Sequence, residues 1–304
     1  VPATRVALVT CRDLPDLHPD DRPLRPALAD RGIAAEPAVW DDPAVDWAAF
    51  DLCVLRSPWD YTLRRGDFVS WAHGVPRLAN PAPVVAWNTD KRYLSQLAAA
   101  GVPTVPTDIV EPGEPWRPPD GRFVVKPTVG AGGLDAARYD PGQTDEVRAA
   151  VAHVARLHAA GRAVMVQPYL DGIDREGETG VVHVAGPLSH AFRKDALLDG
   201  STSTVEGLYR PETVTARRAS DEVVALAATA LAAVARVAPA HRAPLLYARV
   251  DTVPGRDGRP LVLEVELTEP SLFLAHAPGA VDRFADAIAG AVTASRAGAS
   301  PATT

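Results

Sequence analysis

The chain has 304 residues, too many for one ordinary core, so two or three lobes are expected. Hydrophobic residues make up 47% and charged ones 23%, the balance of a globular protein, and no apolar run reaches the roughly 18–20 residues of a membrane span. A net charge of −7 argues against a nucleic-acid surface, which is ordinarily basic.

Two cysteines, Cys11 and Cys53, offer neither metal-ligand spacing nor a disulfide framework, which fits a reducing compartment. The opening VPATRVALVT reads as a strand rather than a signal peptide, so the cytoplasm is the expected location. Arg5–Thr10, Ile33–Val39 and Asp51–Leu55 read as strands, with helical spacing over Asp20–Arg31. That alternation predicts an open α/β lobe over roughly the first 85 residues. No G-x-G-x-x-G follows its first strand, so a dinucleotide site is not indicated there. Beyond the strand ending at Leu55 comes RSPWDYT. Ligands of open α/β sheets sit at such carboxyl ends, so Arg56 can clamp a carboxylate, with Ser57, Trp59, Asp60 and Tyr61 around it. The alternative is a loop in which Arg56 pairs with Asp60 and Trp59 packs beneath.

Asn88 or Thr89 is expected to cap a helix that runs to about Ala100 and is stopped by Gly101 and Pro103. Lys91 falls in its first turn, where a cation opposes the helix dipole unless an anion is near. Strands Val105–Val110 and Arg122–Lys126 follow, the second leading into PTVGAGGLD. Gly130, Gly132 and Gly133 permit close backbone approach to phosphate oxygens, although a plain hairpin turn has the same composition. A helix over Thr144–Ala159 and a strand over Ala163–Gln167 come next. Glu178–Val184 and Leu188–Lys194 form a hairpin around Gly186-Pro187. The polar stretch Asp195–Arg210 is a long loop, a length that is usually functional or disordered. Asp221–Val237 and Val281 to about Val292 are the last helices, and ASRAGASPATT is a frayed tail.

Between those helices, Tyr247–Val253 and Pro260–Leu267 fold back on each other through Gly255–Gly258. Strand alternation puts Val262, Glu264, Glu266 and Thr268 on one face, with Asp251 opposite. Three clustered acids need a cation or water. They are either a Mg²⁺–nucleotide site or the solvated face of a ribbon.

The order NTDK, VVKPTVGAGG, QPYL, Glu178, FRK, RVD and LEVEL resembles the ATP-grasp superfamily of carboxylate–amine ligases. Within it, RSPWDYT, WNTDKRYL and ELTEPSLF are most similar to the O-ureido-serine cyclo-ligase of cycloserine biosynthesis. Glutathione synthetases and ribosomal-protein glutamate ligases are further branches that it resembles. The resemblance implies an α/β fold: an N-terminal open α/β lobe at 1–87, and two α+β subdomains, at 88–170 and 171–304, clasping ATP. It also implies residue roles. Lys91, Lys126 and the Thr128–Gly133 loop would contact phosphates. Gln167, Tyr169 and Leu170 would read adenine, and Glu178 would bind ribose. Asp251, Glu264 and Glu266 would hold Mg²⁺, although the last ligand is commonly Asn. Arg193, Lys194 and Arg249 would neutralise the acyl phosphate.

The implied activity is an ATP-dependent, ADP-forming C–N ligase acting on a small amino-acid-like carboxylate, with ring closure as one form. It would need neither nucleic acid nor membrane, and a homodimer is common among such ligases. An ATP-grasp phosphotransferase, a peptide or amino-acid ligase of natural-product biosynthesis, and a non-catalytic nucleotide-binding protein are the alternatives. The eight histidines are scattered. His190 and His276 lie near motif segments, and neither is assigned a role.

Overall fold

The computed structural model describes residues 3–198, 207–239 and 244–298. Thr4–Thr10 (β1), Ile33–Val39 (β2), Leu52–Ser57 (β3) and Leu78–Ala79 (β4) form a parallel sheet in the order β2-β1-β3-β4. β1 and β3 are almost wholly buried, as apolar runs in a sheet covered on both faces must be. Leu24–Ala29 (α1), Arg65–Gly74 (α2), Ala82–Asn88 (α3) and Tyr93–Ala99 (α4) follow within or after this lobe. The second sheet contains Asp108–Val110 (β5), Phe123–Pro127 (β6), Ala137–Tyr139 (β7) and Val164–Pro168 (β8) in the order β5-β8-β6-β7, with Thr144–Ala159 (α5) packed on it. After the short Gly172–Glu176 (α6), the third sheet is antiparallel. Its strands are Glu178–Val184 (β9), Leu188–Lys194 (β10), Val214–Ala216 (β11), Tyr247–Pro254 (β12) and Pro260–Glu266 (β13), in the order β11-β10-β9-β12-β13. Asp221–Val237 (α7) packs against β9, β12 and β13, and Ala280–Gly298 (α8) ends the described chain.

α7 begins where the Ser220 side chain accepts the Val223 N–H, with Asp221 and Glu222 in the first turn and Arg236 in the last. α8 extends past the expected end at Val292, and Arg296 pairs with Asp51 at 2.8 Å. Residues 294–298 are therefore helical and not a frayed tail, while 299–304 lie outside the described residues.

One sheet falls in each of the spans 1–87, 88–170 and 171–304, but two helices cross those limits. Leu94 and Leu97 of α4 pack with Ala230 and Val234 of α7, on the third sheet. Phe284 and Ile288 of α8 share a core with Val6, Leu8 and Leu28 of the first lobe and with Val182 and Tyr247 of the third sheet. Two buried asparagines fasten the same seam. Asn80 donates to Tyr247 O at 2.9 Å and Leu267 O at 2.7 Å, and accepts from Leu246 N at 2.7 Å. Asn88 is the last residue of α3 and does not cap the following helix. Its amide donates to Val265 O and accepts from Leu267 N, both at 2.7 Å.

No helix among the described residues is long and apolar enough to cross a membrane.

Replacing Asn80 with Ala would leave three buried backbone groups unpaired. It should lower unfolding free energy by at least about 2 kcal/mol, read as a shift of the denaturant midpoint at constant slope. A pH effect follows from His190, whose Nε2–H donates to Leu272 O at 2.7 Å while Nδ1 accepts from Ser189 Oγ at 2.9 Å. Burial, helped by the nearby Arg283 and His276, holds its pKa below the ordinary value. The unfolded chain then binds the extra proton first, so this stability is present above about pH 6.5 and is lost as pH falls. Denaturant midpoints at pH 7.5 and 5.5 should differ less in His190→Asn than in the native protein.

Candidate active site

A cavity of ≈ 440 Å³ opens between the second and third sheets, closed at one end by the first lobe. Its floor is one face of β12 and β13 with the ends of β9 and β10. In antiparallel register Lys194 lies opposite Glu178, Asp251 opposite Glu264, and Arg249 opposite Glu266, and opposed residues share a face. The sequence therefore sets acids and bases in alternation. Lys194 Nζ is 3.0 Å from Glu178 and 3.0 Å from Asp251. Arg249 grips Asp251 with two bonds at 2.9 and 2.8 Å and also pairs with Glu266. Lys126 lies 2.6 Å and Lys91 3.8 Å from Glu264. Phe192 lies under this ladder and covers Gly180, where a Cβ would meet the ring at 2.2 Å.

Burial alone would raise the Asp251 carboxyl, but Arg249 and Lys194 outweigh it and hold it low. Lys126 and Lys91 do the same for Glu264 against its own burial. Burial, opposed by Arg249 and reinforced by Asp251 and Glu264, pushes Glu266 up to about 7. Lys194 is buried, yet Asp251, Glu178 and Glu212 keep it firmly protonated.

Among the described residues no three His, Cys, Asp or Glu side chains converge on a metal-sized point, because the bases interleave with the acids. The donors are nonetheless all oxygens, the kind Mg²⁺ takes. Both Asp251 oxygens are engaged by Arg249 and Lys194. Val262 leaves the expected acidic face. A bulge beside Thr252 sends Leu263 and Glu264 to the cavity and Val262 into the core under α7.

The residues expected to contact phosphates are brought together. Gly130, Gly132 and Gly133 line the cavity, and Lys91 donates to Gly130 O at 2.5 Å. Gly132 has φ +58, and a Cβ there would meet Tyr209 at 2.4 Å. Arg210 N–H also donates to Gly132 O at 2.9 Å, so the glycine loop is docked on residues 208–210. Residues 199–206 of the long polar loop lie outside the described residues. Thr128 is buried and does not line the cavity. Its carbonyl accepts the Lys91 N–H at 2.8 Å, which fixes Lys91 in place. Gln167, Tyr169 and Leu170 line the opposite end. There Val105, Leu170 and Val253 form an apolar slot, and Gln167 donates to Thr107 Oγ1 at 2.8 Å.

Besides Thr128, four expected residues are elsewhere. Arg56 is fully buried, held by Asp21 at 2.8 Å and Pro270 O at 2.8 Å, and so clamps no substrate; nor does it pair with Asp60. Ser57 bonds Thr10 Oγ1 at 3.0 Å. Asp60 accepts the Trp40 indole N–H at 2.7 Å and pairs with Arg64 at 2.7 Å. Arg193 alternates to the other face of β10, donating to Glu176 O at 2.8 Å and pairing with Asp195. Only Trp59 and Tyr61 of RSPWDYT reach the cavity. Sequence reasoning missed His18, Tyr209, Glu212 and Glu269, which also line it. Glu269 stood inside the quoted ELTEPSLF, one residue past the face-sharing pattern. The others carry no local signal.

A family model described as D-cycloserine synthetase DcsG, N-terminal domain, matches residues 6–80. The cycloserine biosynthesis protein DcsG of Streptomyces lavendulae is 41% identical over 302 residues, covering 93% of this chain and 97% of that protein. The chain belongs to the DcsG family. The crystal structure of D-cycloserine synthetase DcsG superimposes with TM-score 0.84 at 40% identity, covering 95% of this chain and 99% of the other. D-alanine–D-alanine ligase from Bacillus anthracis, solved with ATP, gives TM-score 0.65 at 16% identity, covering 98% and 100%. The fold is ATP-grasp, and as a member of this family the chain is an ATP-dependent ligase that forms C–N bonds.

Lys194→Met should destabilise the protein by about 3–5 kcal/mol, because it strands Glu178 as a buried charge and leaves Asp251 with Arg249 alone. Arg193→Ala, at a half-exposed pair, should cost no more than about 1 kcal/mol and leave ADP release near the native rate. Chemical unfolding and coupled ADP assays on the two variants separate the adjacent residues.

Proposed function

We propose that the substrate is a small amino acid carrying its own nitrogen nucleophile, as O-ureido-D-serine does, and that ATP activates its carboxylate for ring closure. What carries this reading is the order of groups along β13 and the residues after it. Leu263 belongs to the apolar slot, Glu264 and Glu266 to the charged ladder, and Glu269 to an aromatic end with Trp59 and Tyr61. At about 3.3 Å per residue that succession matches a base, its phosphates and a small substrate laid end to end. In this reading the slot of Val105, Leu170 and Val253 takes the adenine, with Gln167 and Tyr169 at its edge, and Glu178 lies toward the ribose.

Lys91 and Lys126 would exchange Glu264 for phosphate oxygens, and the glycine loop would cover them. Glu264 and Glu266, released in part from the lysines and Arg249, would hold Mg²⁺ together with phosphate oxygens, with Asp251 behind them. The ion would supply charge neutralisation at the transferring group. The γ-phosphoryl group passes to a carboxylate oxygen of the substrate, giving an acyl phosphate and ADP. The substrate nitrogen then attacks the carbonyl carbon, loses a proton, and expels phosphate. Arg249 and Lys194 are positioned to neutralise the oxygens involved, which is where such sites obtain most of their rate. The docked glycine loop and residues 208–210 exclude water from the acyl phosphate. The three sheets serve as working units bounded near 1–87, 88–170 and 171–304, strapped together by α4 and α8.

The test is Mg·ATP with O-ureido-D-serine as the sole organic substrate. ADP and phosphate should appear together with a product lighter by one water, or with the cycloserine formed when a water then hydrolyses the ring's carbamoyl group to carbon dioxide and ammonia. Lys126→Ala should lower kcat/KM by about 100-fold or more. A stable phosphorylated product, or an absolute need for a second amine, would sink ring closure.

A further inference from the structure

Six acids and five bases line the cavity: Glu178, Glu212, Asp251, Glu264, Glu266 and Glu269 against Lys91, Lys126, Lys194, Arg210 and Arg249. Glu178, Glu212, Asp251, Glu264 and Glu266 each have a lysine or arginine within ion-pair distance. Glu269 has none among the described residues, although only 9% of its surface is exposed. Its backbone and one oxygen are fixed from the first lobe. Trp59 Nε1–H donates to Glu269 O at 3.0 Å, and Tyr61 Oη–H donates to Oε1 at 2.5 Å. Tyr61 is itself immobilised, stacked on Phe68 with ring centroids 4.7 Å apart. Oε2 has no hydrogen-bond partner among the described residues.

Beside it stand three rings. His18, Trp59 and Tyr209 lie with centroids 5.0, 5.1 and 5.3 Å apart, and all three line the cavity. Burial keeps the imidazole of His18 below its ordinary pKa and so neutral at working pH, which leaves the box without a positive charge of its own. Burial raises the Glu269 carboxyl above its ordinary pKa, with the Tyr61 bond and the more distant Lys91 and Arg249 opposing. A buried carboxylate with one bond and no base in contact is costly to ionise unless a cation arrives. Indole and phenol faces favour a compact organic cation. They supply none of the further oxygen ligands that Mg²⁺ requires.

Resting on the ligase reading above, we propose that Glu269 Oε2, walled by Trp59, Tyr209 and His18, binds the α-ammonium group of the amino-acid substrate and so sets which end of it meets the ladder. An ammonium group anchored at Glu269, three residues beyond Glu266, turns the carboxylate of the same molecule back toward Arg249. Carboxylic acids without an amine are thereby refused.

The experiment compares O-ureido-D-serine with its desamino analogue, 3-(ureidooxy)propanoate, in the native protein, Glu269→Gln and Tyr61→Phe. Calorimetric binding and ADP release are both measured. The native protein should prefer the amino compound by about 30-fold or more, the discrimination expected when one partner of a buried charge pair is removed. In Glu269→Gln that preference should collapse to within about threefold with the KM for ATP unchanged, and Tyr61→Phe should fall between. Equal binding of both compounds by the native protein overturns the proposal. So does an equal loss for both in Glu269→Gln, which marks a structural role. A raised Mg²⁺ requirement as the main effect of the variant also overturns it. Selective binding of the amino compound without ADP release would uphold the ammonium site and overturn the ligase reading instead.

Discussion

The structure depends on neutralising charge that has been taken out of water. Asp251 is 2% exposed, and a carboxylate so placed survives only because Arg249 and Lys194 contact both its oxygens. Those bases in turn need Glu266 and Glu178. The set can be satisfied only when β9, β10, β12 and β13 are in the observed register. A slip of one residue would move every member to the apolar face under α7. The ladder thus helps to specify the sheet that carries it. The same feature leaves the donors of the ladder already oriented within the cavity.

The ladder faces the first lobe, and the seam between them is polar where it must be rigid. Asn80 and Asn88 take up backbone groups at the ends of β12 and β13. Arg56, buried and tied to Asp21, reaches across to Pro270 O. These bonds fix the segment from Leu267 to Ser271, which carries Glu269, against the loop that carries Trp59 and Tyr61. The aromatic end of the cavity is therefore made jointly by two lobes, while the apolar slot at its other end is made by the second and third sheets. The glycine loop is held to residues 208–210 by one backbone bond and close packing at Gly132.

Much of this was legible in the sequence because local rules govern it. α5, α7, β9 and β10 have the bounds their periodicity and caps dictate, and the acids of LEVEL share a face as strand alternation requires. The rest depends on partners far along the chain. Arg56 reads as a clamp until Asp21 and Pro270 are seen to hold it. Arg193 and Lys194 are indistinguishable as neighbours until β10 turns one inward. The bulge that removes Val262 from the acidic face leaves no mark in composition. β7 and β11 are three residues each, too short to show a period. His18 and Tyr209 meet only because two distant loops fold over the same end of the cavity.

The one departure from the expected metal pattern finds its reason in this geometry. Where Asn is commonly the last ligand, this chain has Glu266, and directly opposite it in register is Arg249. A guanidinium that is 4% exposed with a single carboxylate partner would have donors to spare. Asp251 and Glu266 together use its fork, with Ser271 O taking a further N–H at 2.7 Å. Glu266 and Arg249 are thus one unit: a neutral amide at 266 could still accept an N–H from the arginine but would bring no negative charge to it. The added acid gives Arg249 a second carboxylate partner within the ladder. The acid beyond it, Glu269, is then the only cavity carboxylate among the described residues without a base in contact.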